Sequence, residues 1–144
     1  MSSFPDGTEL DSQDVIGRTL VEVLQAPPVT ENGLDWDYAF FRLDSGAVFF
    51  LPFEDAGKLY TEQPPVECTP QDYAELRPVL GKRIVRVLRD GPDSDTVNEA
   101  PYLLMENGYL MTHIMGAYHG LGYAGIHIYA PSEIDTSSMI EFFT

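Results

Sequence analysis

One nine-residue, strand-like segment occurs twice in this chain. Ile16-Gly17-Arg18-Thr19-Leu20-Val21-Glu22-Val23-Leu24 is answered by Leu80-Gly81-Lys82-Arg83-Ile84-Val85-Arg86-Val87-Leu88. Thr19, Val21 and Val23 alternate with Leu20, Glu22 and Leu24, and Val85 and Val87 alternate with Ile84, Arg86 and Leu88. Period two in both copies, in the same phase, is the mark of a strand. Each copy leads through a turn-rich stretch into a second apolar run, Phe40-Phe41-Arg42-Leu43 or Tyr102-Leu103-Leu104-Met105. A chain built this way is constrained toward a pseudo-symmetric β-rich domain rather than a cofactor fold.

The connections support the same reading. Pro27, Pro28, Asn32 and Gly33 in the first copy, and Asp90, Gly91, Pro92 and Asp93 in the second, are turn formers. Tight turns follow at Asp44-Ser45-Gly46 and Glu106-Asn107-Gly108, where Asn107-Gly108 predicts a two-residue hairpin. Return strands then run over 47–53 and 109–115. The spacing predicts an α+β fold, predominantly antiparallel β, as two pseudo-repeated three-stranded units over about 14–60 and 78–130. Both belong to one domain, 1–144, with 1–10 as a loose N-terminal segment. One or two short helices accompany them. Asp11 or Ser12 can cap a single turn before Gly17. Thr69-Pro70, with Asp72 and Glu75 behind, predicts a helix from Pro70 to about Leu76 that Pro78 ends. A further strand is expected at 125–129, and 139–143 reads as a strand or a helical turn.

Charge is the extreme property of the composition. Twenty-three Asp and Glu against eight Lys and Arg give −15 over 144 residues. Residues 90–144 hold eight acids and no Lys or Arg, whereas Lys82, Arg83, Arg86 and Arg89 crowd one strand. So acidic a surface repels phosphate backbones and anionic lipid, which argues against direct nucleic-acid or membrane binding, and it attracts cationic partners. Acidity that serves solubility alone is the bland alternative. No apolar run approaches the ~20 residues of a membrane span, and Met1-Ser2-Ser3-Phe4-Pro5 lacks the basic and apolar regions of a secretory signal. With Cys68 as the sole cysteine, a reducing, cytoplasmic setting is expected.

No constellation names a reaction, so no catalytic residue, metal site or cofactor is expected. His113, His119 and His127 lie close in sequence but lack tight ligand spacing; His113 and His127 would meet only across paired strands. Residues 115–125 interleave four glycines with Tyr118, His119 and Tyr123. That stretch reads as a curved connection or as a binding loop displaying rigid aromatic groups. Gly120-Leu121-Gly122 with Gly125 matches a dinucleotide motif in letters only, because no strand-to-helix context surrounds it. Trp36 between Asp35 and Asp37 suits either an interface anchor or a core anchor. Cys68 at the expected helix start reads as a structural thiol.

In its Gly-basic-x-apolar-x-x-apolar strand openings at Gly17-Arg18 and Gly81-Lys82, and in its acidity, the chain resembles small bacterial immunity and antitoxin proteins. The resemblance implies a non-catalytic inhibitor that neutralises a basic protein partner, such as a toxin enzyme, by plugging its cationic cleft. Expected partner-binding residues are Asp35, Trp36 and Asp37, with Asp90, Asp93 and Asp95 at the equivalent loop and Tyr118, His119 and Tyr123 beside them. Both acidic loops are expected on one side of the molecule. An alternative reading is a small-ligand-binding domain or enzyme using the Tyr/His/Gly-rich segment 111–129. Edge-to-edge pairing into a homo-oligomer is a further option.

Overall fold

Val, Ile, Leu and aromatic residues dominate the runs between turn formers, and those runs form strands. The computed structural model describes residues 7–25, 29–31, 34–36, 39–49, 58–63, 68–70, 74–91, 101–113 and 126–143. The first half holds β1 (Glu9–Leu10), β2 (Leu20–Gln25), β3 (Val29–Glu31), β4 (Leu34–Trp36), β5 (Ala39–Leu43), β6 (Val48–Phe49), β7 (Leu59–Tyr60) and β8 (Thr69–Pro70). The second holds β9 (Ile84–Arg89), β10 (Tyr102–Met105), β11 (Leu110–His113), β12 (Ile126–Tyr129) and β13 (Ile140–Glu141). Every pairing is antiparallel. Helix is scarce among the described residues: α1 (Ser12–Val15) and 3-10 turns at Ala74–Leu76 and Thr136–Ser138.

Two large sheets form, ordered β6-β5-β2-β8 and β12-β11-β10-β9-β13, while β3 and β4 pair as a separate hairpin in the connection from β2 to β5. A bridge from Phe49 to Thr61 continues the first sheet beyond β6 toward β7, and β1 lies on β7. The bonding patterns of the two sheets correspond position by position. Leu20 faces Leu43 and Glu22 faces Arg42, leaving Val21 as an extra residue; Ile84 faces Met105 and Arg86 faces Leu104, leaving Val85 extra. These are β-bulges, and they replace the strict alternation expected from sequence. Leu20 with Val23, and Ile84 with Val87, therefore all turn inward, while Val21 and Val85 stand exposed at 47% and 38%.

The tight turns match as well. Gly46 N–H bonds the Leu43 carbonyl and Gly108 N–H the Met105 carbonyl, both at 2.9 Å. Gly46 and Gly108 sit at φ of 93° and 90°, which favours glycine. Each loop thus has three residues, a turn closed by a left-handed glycine, rather than the two expected from Asn107-Gly108.

The sheets meet at the bridge between Thr19 and Arg83. Around it four backbone bonds are exchanged reciprocally. Gly17 N–H donates to the Ile84 carbonyl and Gly81 N–H to the Leu20 carbonyl, both at 2.7 Å. Leu20 N–H donates to Lys82 at 2.9 Å and Ile84 N–H to Arg18 at 2.8 Å. β2 and β9 leave this antiparallel bridge in opposite directions. The connections after them therefore start at opposite ends of this bridge, while Asp37, Asp93 and Asp95, on which the expectation of a shared side falls, lie outside the described residues.

One buried cluster draws on both sheets, with Phe41, Phe49, Val23 and Leu43 from the first and Ile84, Val87, Leu103 and Met111 from the second. Each such large side chain contributes about 1.5–3 kcal/mol on burial. Outer faces carry smaller clusters: Leu24 and Phe40 backed by Val48 and Cys68, and Leu88, Tyr102 and Leu110 backed by Tyr129, Ile134 and Met139.

Other expectations are revised. Leu10 is buried and pairs with Leu59, so the end of the expected loose segment is anchored; residues 1–6 lie outside the described residues. Thr69–Pro70 is a strand against Gln25 and Leu24, not a helix start, because an edge position tolerates proline's missing N–H. Cys68 therefore precedes a strand rather than a helix. At α1 the expectation holds: Asp11 is the cap, and its N–H donates to the Asp14 carboxylate at 2.8 Å. No helix among the described residues is long and apolar enough to cross a membrane.

Candidate functional site

Antiparallel order brings four strand ends to one margin of the five-stranded sheet. β9 ends and β10 begins there; β11 ends and β12 begins there. Across that margin Glu141 faces Leu88, Leu88 faces Tyr102, Tyr102 faces Thr112, and Thr112 faces His127. The connections that carry Asp93 and Asp95, and Tyr118, His119 and Tyr123, are anchored at this margin, although all five lie outside the described residues.

Of Asp90, Asp93 and Asp95, Asp90 alone is among the described residues. It is half-buried, and its carboxylate accepts the Tyr102 hydroxyl at 3.4 Å. Thr112, fully buried, donates its hydroxyl to the Pro101 carbonyl at 2.9 Å. His127 and Tyr129, two apart on β12, share a face. Their rings stack with centroids 4.7 Å apart and planes within 1°. The Nδ1 atom of His127 is buried and has no hydrogen-bond partner among the described residues. A turn after β12 returns Glu133, whose carboxylate accepts the Ala130 N–H at 2.6 Å.

Electrostatics follow from that placement. Burial pushes the His127 imidazole below its ordinary range, and Glu133 pulls partly the other way, so the neutral ring is favoured. Tyr129 is pushed up, first by burial and then by the Asp90 and Glu133 carboxylates, so its phenol stays protonated. Two anions, a protonated phenol and a neutral imidazole make an electron-rich aromatic patch suited to a cationic group.

His113 and His127 are not cross-strand partners. Their strands pair, but the register sets His113 opposite Ile126 and His127 opposite Thr112. Among the described residues no group of three or more His, Cys, Asp or Glu converges to hold a metal ion. Asp35 and Trp36 lie on β4, opposite Thr30 and Val29, and Asp37 is outside the described residues. Cys68 is half-buried against Leu24 and Phe40.

No family model, curated protein or solved structure matches this chain.

Tyr102, Tyr129 and Glu133 are missing from the sequence-based set. Alternation from His127 was enough to place Tyr129 on the same face. Nothing local marks Tyr102 or Glu133, whose positions depend on cross-strand register and on the turn after Pro131. A separate cleft of about 460 Å³ is lined by residues 9–13, Lys58 and Phe143. Lys58 is held there by Glu9 at 3.4 Å.

Proposed function

We propose that this is a non-catalytic, cytoplasmic acidic protein that binds and neutralises a basic protein partner, in the manner of an immunity protein or inhibitor acting on a toxin enzyme. The observation that carries the reading is the meeting of carboxylates with a stacked pair of half-buried rings on the outer face of the five-stranded sheet. In a chain of net charge −15, Asp90 and Glu133 bear on Tyr129, which stacks with His127. Lys and Arg side chains are the natural occupants of such a patch. Asp93 and Asp95, with Tyr118, His119 and Tyr123, belong to the connections anchored at the margin of that sheet and extend the proposed surface. Asp35, Trp36 and Asp37 are proposed as further contact residues.

The scaffold reading goes further than β-rich. We propose that the two sheets are copies of one ancestral unit, supported by matched bulges at Val21 and Val85, matched turns at Gly46 and Gly108, and the reciprocal bonds at the junction.

The test is recovery of a cationic protein from the source cells by the tagged full chain, followed by association kinetics with that protein. Exchanging Asp90, Asp93 and Asp95 together for Asn should slow association severalfold and flatten its salt dependence. Unchanged rates at every ionic strength would refute the assignment of these residues. A second reading, a small-ligand site, is favoured by the stacked His127–Tyr129 pair alone. It expects a thermal-shift response to a metabolite that His127→Ala abolishes.

A further inference from the structure

Sheet edges invite unwanted pairing, and proteins blunt them with short strands, charge, proline or bulges. Three outer strands other than β12 are blunted here. β1 has two residues, with Glu9 held by Lys58. β8 has two residues and contains Pro70. β13 has two residues, and its Glu141 binds Arg86.

β12 differs on every count. It runs four residues, Ile126–Tyr129, with no charge and no proline, in unbroken register with β11. Among the described residues no backbone group pairs with its other edge. Its counterpart in the first sheet, β7, has that edge covered by β1.

We infer that the edge of β12 left unpaired among the described residues receives an extended segment of the basic partner as an added antiparallel strand. This rests on the reading under Proposed function and names its mode of contact. A strand laid there sends alternate side chains to the two faces of the sheet. On the outer face they meet the stacked rings of His127 and Tyr129, on both of which the Glu133 carboxylate acts, which calls for Lys or Arg. On the inner face they meet Ile128, which packs against the main core, and that calls for an apolar residue. The fitting segment therefore alternates cationic and apolar residues. A second copy of β12 fits poorly: it offers no cation and brings a further −15 of charge.

The test uses the full chain and a capped peptide of about eight residues alternating Lys and Val, a normal strand length. A second peptide has the same side chains but a fully N-methylated backbone, which keeps the charge and removes every N–H donor. The expected result is that methylation weakens binding at least tenfold, and that the unmethylated peptide slows hydrogen exchange at 126–129. Equal binding of both peptides would overturn strand addition while leaving the basic-partner reading standing. Failure of both to bind at low salt would remove that reading and this inference together. Exchange protection at another strand, or peptide-free dimers by light scattering that protect 126–129, would overturn it as well.

Discussion

At the scale of single residues, His127 and Tyr129 give the sharpest expectations. The folded-state value of His127 lies below the ordinary 6.5, so the unfolded chain takes up the proton first. Stability is therefore full above about 6.5 and falls as the pH drops toward the folded value. Tyr129 behaves in the opposite sense: its stabilising share is present below the ordinary 10.0 and is lost as the pH rises through the raised folded value. An NMR titration should place the His127 midpoint under 6.5, and Glu133→Gln should move it lower still. An upward move on that exchange would show that Glu133 does not act on the ring. Glycine positions give a second expectation. A methyl group at Gly91 would run into the Ser138 carbonyl, and one at Gly108 would come 3.0 Å from the Pro131 ring in a left-handed conformation. Gly108→Ala should cost about 1–2 kcal/mol in denaturant unfolding. Gly91→Ala should cost about 1–3 kcal/mol, because backbone must shift.

At the scale of elements, the bulges decide which side chains matter. Strict alternation puts Val85 with Val87 and sets Ile84 against them, yet Ile84 and Val87 are both fully buried and Val85 is exposed. Ile84→Ala should thus cost about 2–5 kcal/mol, while Val85→Ala should stay within about 0.5 kcal/mol. Equal losses would mean that the bulge is misplaced. The same contrast shows what the sequence makes legible. Runs such as Phe40–Leu43 and Tyr102–Met105 announce strands because β-rich, apolar composition and flanking turns act locally. The extra residue at Val21 or Val85 is invisible, since it arises from pairing with β5 or β10. Pro70 reads from sequence as the first residue of a helix and lies in an edge strand, because its fixed φ suits both and only the approach to Leu24 decides. The paired row Leu88, Tyr102, Thr112 and His127 likewise needs three registers that no single segment encodes, so the margin could be named only in part, through Asp90.

For the whole molecule, charge is the governing term. A net −15 opposes compaction through self-repulsion, and ion pairs such as Glu22–Arg42 at 3.3 Å, half-exposed, return only about 0–1 kcal/mol each. Raising salt from about 0.01 to 0.15 M, which shortens the screening length from ~30 to ~8 Å, should raise the melting temperature. A fall on adding salt would mean that local attraction outweighs the global field. The bridge between Thr19 and Arg83 has its own consequence. Since Gly17 offers to the far half what Gly81 offers in return, either half carries both the plug and the socket. A polypeptide cut just past Pro70 should find its missing counterpart in another molecule of itself, clasping as a twin, and should yield that embrace when the true second half is added.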